Sequence, residues 1–294
     1  MRKEIDARLL KLIDNCQESS LKEAMCYSLF AGGKRLRPML LLAACEAVSG
    51  SYKQNALDFA CALEMIHSYS LIHDDLPAMD DDDFRRGKPS NHKQFGEAMA
   101  ILAGDALLNR AFETMALVCA EASSEGQEEG ARSNTRNIEA MLAIIAASGD
   151  NGMIAGQVKD IYFQNKELDA DTLFNIHSQK AGALFAAAFE AGAILGGASL
   201  INVQAMKQTG AKLGWAFQIR DDLLDVTATK EELGKPANSD SRNQKNTYVT
   251  VHGLEKAKTD YARISAEALA ELDRLPKKTD TLRGIVQQVI DRKN

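Results

Sequence analysis

Apolar positions recur at three- and four-residue intervals almost from end to end of this chain, and strict alternation never lasts more than a few residues. That periodicity predicts helices and no sheet. Ile5, Leu9, Leu12 and Ile13 form one stripe within 2–16. A short helix is expected over 20–31, with Ser20 as N-cap and Glu23 as its capping-box partner. It would stop at Gly32-Gly33, where positive φ costs little. Pro38 stands where a third helix opens, apolar over 39–48 and closed near Gly50. From 55 to about 76 the run is long and largely buried, and Pro77 ends or kinks it. Residues 95–118 read as one or two helices, and the polar, Gly- and Ser-containing stretch 121–137 as a loop or frayed ends. Helices resume over 138–147, 154–163, 169–179, 180–195 and 203–227. Residues 231–245 read as a loop, and amphipathic helices at roughly 253–273 and 278–291 finish the chain. With no repeat and no separating linker, the expectation is a single all-α domain over 1–294, built as a helical bundle.

Composition agrees: 45% apolar residues, 6% aromatics and five prolines suit an Ala- and Leu-rich helical protein. At 294 residues the chain is long enough to bury a substantial core. The formal charge of −6 comes from 35 bases against 41 acids, and no basic tract points to nucleic acid. Cys16, Cys26, Cys45, Cys61 and Cys119 are odd in number and lack a CxxC pair, so they read as thiols in a reducing cytoplasm. Acids and bases alternate over 2–14, unlike a signal peptide. Residues 181–201 are long enough to span a bilayer, but Glu190 interrupts them and Ala and Gly dominate. A buried central helix is expected instead, and no membrane span.

Charge concentrates in one stretch, HDDLPAMDDDDFRRG, from His73 to Gly87. Asp74, Asp75, Asp80, Asp81, Asp82 and Asp83 lie within ten residues, at the end of the long helix that also carries His67 and Tyr69. Such crowding is unfavourable unless cations neutralise it. Carboxylate oxygens are the ligands Mg²⁺ prefers, and Mg²⁺ commonly shares its shell with phosphates. A solvated acidic turn is the plain alternative, but a second group, Asp221, Asp222 and Asp225, argues against it. Asp221 and Asp225 share a helix face, with Asp222 about 100° round. Arg85 and Arg86 are suited to phosphate oxygens, Lys180, Lys235 and Lys245 to neutralising a departing diphosphate, and Lys34, Arg35 and Arg37 to a second, metal-free phosphate site. Two anion sites imply two phosphorylated substrates.

GGKRLRP, the DDxxxxD group followed by RRG, GQxxD, QK-x-GAL and FQxxDDxLD occur in that order between about residues 31 and 248. Together they resemble the trans-isoprenyl diphosphate synthases, most closely the bacterial farnesyl type. The resemblance implies an isoprenoid-synthase bundle with a central substrate cavity, three Mg²⁺ per site and a homodimer. Asp74 and Asp80 would hold two ions and Asp221 the third, supported through water by Asp75, Asp222 and Asp225. Arg85, Lys180, Lys235 and, more weakly, Lys245 would hold the allylic diphosphate. Lys34, Arg37, His67 and Arg86 would hold isopentenyl diphosphate, and Gln218 would face the reacting carbons. Tyr69, five residues before Asp74, would floor the cavity and stop growth mainly at C15.

Departures from that pattern are Ala181 where threonine is usual, Arg220 for glutamine or valine, Asn238 for glycine and Val249 for proline. Ala181 removes one polar contact and implies slower chemistry. A class I terpene cyclase would lack the isopentenyl site, and a non-catalytic subunit would have lost aspartates. A metal phosphohydrolase built on His73-Asp74 would need further histidine ligands. Each fits these residues less well than a synthase.

Overall fold

The chain is described by a computed structural model over residues 1–124, 128–227, 246–273 and 280–292. In order it runs α1 (Arg2–Ile13), α2 (Ser19–Leu29), α3 (Leu36–Ser49), α4 (Gln54–Asp74), a two-stranded ribbon β1 (Phe84–Arg85) and β2 (Lys88–Pro89), α5 (Asn91–Phe95), α6 (Glu97–Ser124), α7 (Glu128–Ser148), α8 (Met153–Tyr162) and α9 (Ala170–His177). A π-helical turn, Ser178–Gly182, leads into α10 (Ala183–Gly196), then α11 (Leu200–Thr227), α12 (Tyr248–His252), α13 (Leu254–Leu272) and α14 (Asp280–Ile290). The fold is all-α, as the periodicity requires.

Helix α10 is the centre, packed against α3, α7 and α11. Leu184, Phe185, Ala188, Phe189 and Ala191 are buried along it, which confirms a core helix where 181–201 was long enough to cross a bilayer. Burying Phe185 or Phe189 contributes about 1.5–3 kcal/mol each. Helix α4 is apolar nearly all round and lies against α6 and α3, so its C-terminal end is held rigidly. Ile5, Leu9 and Ile13 are fully buried on α1 as their spacing predicts.

Several local expectations are corrected. Helix α2 is capped by Glu18, whose carboxylate accepts from the Ser20 N–H (3.3 Å), and not by Ser20. Helix α3 begins at Leu36 after Arg35 in the left-handed region (φ 53), which puts Pro38 inside the first turn, where no intrahelical N–H is needed. Most of 121–137 is helical. Its Glu, Ala and Arg are good helix formers, and packing of α7 on α6 and α10 sustains the run past Gly130. The two-residue strands β1 and β2 pair Phe84 with Pro89 and Arg85 with Lys88, a hairpin too short to leave a periodic signal. Residues 231–245, with Lys235, Asn238 and Lys245, lie outside the described residues.

Among the described residues one stretch, Gly130–Tyr162, is apolar and long enough to cross a membrane, and 28% of its most apolar window is buried. A turn at 149–152 breaks it into α7 and α8. Its exposed side chains, Ile138, Leu142, Ile145, Ile154 and Val158, continue a patch begun by Leu102 and Leu117 on α6. All five cysteines are free.

Candidate active site

The first aspartate group sits where α4 ends. Pro77 stops the helix, and the chain turns so that the Asp80 N–H donates to the Asp74 carbonyl (2.9 Å) and the Asp81 N–H to the Leu76 carbonyl (3.1 Å). This fold-back brings Asp80 beside Asp74, across a six-residue spacing that a continuous helix would splay apart. Asp74 Oδ1 accepts from Gln157 Nε2, and its Oδ2 lies 3.8 Å from Lys180 Nζ. Lys180 in turn donates to Asp160 Oδ2 at 2.7 Å. Gln157 and Asp160 come from α8, and Lys180 from the π-turn. A Cβ on Gly156 would fall 2.2 Å from the Lys180 nitrogen, so only glycine lets α8 approach that turn. The widened turn is what sets Lys180 between two carboxylates. Ala181 lies within the same turn.

Asp75 does not share Asp74's outlook. It is 2% exposed and accepts from Arg85 Nε at 2.9 Å, with Arg85 Nη2 also on Asp75 and 3.2 Å from Asp82. Burial raises its carboxyl, against the opposing pull of Arg85. Asp75 is an anchor for Arg85, beside its expected role as a metal support through water. Asp222 is held in a similar way. One oxygen accepts from Gln218 Nε2 (2.9 Å) and the other from the Tyr248 N–H (2.6 Å), with His177 Nε2 at 3.8 Å. It ties α11 to α9 and α12, and it holds the Gln218 amide that was expected to face substrate. Asp221 is the outward member of the group, in an ion pair with Arg292 (2.6 Å), while Asp225 is buried.

The KRLR group divides in the same way. Arg35 is 4% exposed, paired with Glu64 (2.7 Å) and Asp6 (2.9 Å) and donating to the Leu29 carbonyl (2.6 Å). It is an internal strut, which corrects its grouping with a phosphate site. Lys34 is exposed; burial of its stem and the nearby Arg292 lower its pKa, and Asp221 opposes them. Arg37 donates to His67 Nε2 at 3.2 Å and lies over the Phe185 ring at 4.6 Å. Burial brings the Arg37 guanidinium down to about 10. Burial, then Arg37, hold His67 well below its ordinary value, so the ring is neutral and accepts from Arg37. Arg86 donates to the Gly32 carbonyl across the positive-φ turn Gly32-Gly33. Lys34, Arg37, His67 and Arg86 thus gather beside Asp221, from segments far apart in sequence.

Tyr69 is 6% exposed, one turn below His73 and edge-on to its ring at 5.7 Å. His73 Nε2 lies 3.1 Å from the Ile101 carbonyl, a packing contact between α4 and α6. Three residues of the site carried no assignment from sequence. Gln157 and Asp160 stood in a recognised motif without a role, and Arg292 follows the last helix, where periodicity says nothing. Among the described residues Asp81, Asp83 and His92 also cluster within 4.8 Å, but there Lys93 Nζ supplies the positive charge, 2.7 Å from Asp83.

His177 gives the site a pH signature. Burial pushes its imidazole down to about 4. The unfolded ring takes up a proton near 6.5 and the folded ring only near 4, so stability falls as pH drops through that window, by about 3 kcal/mol at the acid end. The expected result is that parent minus His177→Gln unfolding free energy shrinks steadily from pH 7 to 4.5 in urea titrations. A constant difference contradicts it.

The donor set fits a hard divalent cation. Asp74, Asp80 and Asp221 offer oxygen only, from a helix end and a helix face, and Gln157, Lys180 and Arg292 already engage two of them with donors or positive charge. A helical bundle with acidic groups on two helices, and basic side chains between and beside them, defines a site for a phosphorylated, charge-separating transfer. The chain belongs to the polyprenyl synthetase family, whose pattern it matches over residues 18–289, and it is a prenyltransferase. It is 44% identical over 259 residues to the farnesyl diphosphate synthase of Geobacillus stearothermophilus, covering 88% of this chain and 84% of the relative. It is 46% identical over 254 residues to a chloroplastic geranylgeranyl pyrophosphate synthase of Capsicum annuum, covering 86% of this chain and 66% of that longer protein. The solved FPP/GFPP synthase of Zymomonas mobilis superposes with a TM-score of 0.82 at 35% identity, covering 98% of this chain and 95% of that one.

Proposed function

We propose that this prenyltransferase condenses isopentenyl diphosphate with dimethylallyl and then geranyl diphosphate, giving mainly farnesyl diphosphate. The observation that carries the reading is the pairing of two differently built anion sites. One is Asp74, Asp80 and Asp221 with Lys180 among them; the other is Lys34, Arg37, His67 and Arg86. Asp74, Asp80 and Asp221 would hold Mg²⁺, with Asp225 in support. The metal, when bound, supplies charge neutralisation on the allylic diphosphate. Lys180 and Arg85 hold that diphosphate and stabilise charge as the C–O bond ionises, with Lys235 and Lys245 in the same role by resemblance. Asp75 orients Arg85, and Asp222 orients Gln218. The isopentenyl double bond attacks the allylic cation, and a proton is then lost to the released diphosphate. Apolar helix faces exclude water from the cation. The apolar patch on α6, α7 and α8 fits a second copy of the chain, hence a homodimer.

If the sites are separate, Arg37→Ala raises KM for isopentenyl diphosphate by about tenfold or more and leaves KM for the allylic substrate within about twofold. Equal weakening of both would mean one shared site.

Product length is the second test, because relatives are named for both C15 and C20 products. Tyr69 lies about 7 Å below Asp74 by helix rise and is buried where the growing tail would end. Tyr69→Ala is expected to move the product from C15 to C20 or longer, read by chromatography of the dephosphorylated alcohols. A variant still stopping at C15 would place the floor elsewhere.

A further inference from the structure

At the end of the bundle opposite the catalytic groups lies a cavity of about 540 Å³. It is bounded by the C-terminal ends of α3 and α10, the segment leading into α4, and the first half of α7. Asn55 on α4 is separated from Asp74 by about 28 Å of helix rise, so the cavity is distinct from the site described above. Lys53, Arg132 and Arg136 stand round it, and among the described residues no aspartate or glutamate lines it. None of these three cations forms an ion pair among the described residues.

The floor is polar and internally bonded. Asn55 Nδ2 donates to Asn137 Oδ1 at 3.0 Å, and Asn137 is 1% exposed. Ser133 adds a hydroxyl beside the two arginines.

The geometry points to a metal-independent binding site for a phosphate- or diphosphate-bearing small molecule. Two guanidinium forks and an ammonium match several phosphate oxygens, with the Ser133 hydroxyl beside them. The volume is that of an ordinary small-ligand pocket. This assignment does not rest on the prenyl-transfer reading.

The test is calorimetric titration of inorganic diphosphate into the full chain in EDTA. It is done in an Arg37→Ala background, so that the anion group at the catalytic end is weakened beforehand. One saturable site is expected. Adding Arg132→Glu and Arg136→Glu should weaken it about 10- to 100-fold, and Lys53→Glu about 10-fold. Arg132→Lys with Arg136→Lys should restore most of the affinity. Both glutamate variants change exposed side chains, and unchanged turnover in the Arg37 parent background with helical circular dichroism would show them folded. A parallel titration with a nucleoside diphosphate separates a bare diphosphate ligand from one with an organic tail, and tight binding of either supports the site. The inference is overturned if neither probe saturates in the Arg37→Ala protein, or if the glutamate variants bind as the parent does. Failure of prenyl transfer itself would instead appear in turnover, with these isotherms intact.

Discussion

Asp74→Ala and, separately, Asp221→Ala are expected to lower turnover by at least about a hundredfold, with the fold intact. Each carboxylate faces outward from an otherwise buried helix and is engaged by a donor or cation of the protein: Gln157 and Lys180 for Asp74, Arg292 for Asp221. Removing it takes away charge stabilisation aimed at the leaving group, a loss commonly worth 10²–10³ in rate. The effect belongs in kcat, because the interaction strengthens as charge develops. Steady-state assays at saturating Mg²⁺ decide this. Near-parental turnover in either variant would remove that aspartate from the machinery.

The largest expected effect on stability lies not in the apolar core but at Glu64. Its carboxylate, 2% exposed on α4, pairs with Arg35, itself 4% exposed. Glu64→Ala strands a buried guanidinium with only Asp6 and the Leu29 carbonyl, and breaking such a pair costs about 3–5 kcal/mol. Urea unfolding should show that loss. A double change of Arg35→Met with Glu64→Leu should recover much of it, because no uncompensated charge remains. A loss below about 1 kcal/mol for Glu64→Ala would mean water reaches the pair. Arg37, two residues after Arg35 and also positively charged, should show the opposite profile, with little lost stability and a raised KM.

That contrast marks the limit of what residue order discloses. The bundle was legible because apolar spacing dictates helices, and Pro77 and Gly50 mark ends that any L-residue chain must respect. Both aspartate groups were legible because so many like charges need a reason. Which member of each pair faces outward was not. Asp75 and Asp222 are adjacent to Asp74 and Asp221, and a helix turns neighbours about 100° apart, so one faces out and the other packs inward. A signal existed: Asp222 lies between Ile219 and Leu223, both buried, on the apolar side of α11. Arg35 gave no such signal, because its left-handed backbone lies before the helix, where periodicity does not apply. The π-turn that places Lys180 was invisible too, since it arises from packing of α8 through Gly156. Arg292 joins the site only because the chain returns after α14.

The central claim is that one chain joins two phosphorylated five-carbon units at paired anion sites. Incubation of the purified protein with isopentenyl and dimethylallyl diphosphates and Mg²⁺, followed by chromatography of the dephosphorylated products, tests it most directly. The account predicts linear trans-prenyl alcohols, chiefly C15 with some C10, and none when EDTA replaces the metal. A cyclic hydrocarbon, or inorganic phosphate with no elongated product, would contradict it.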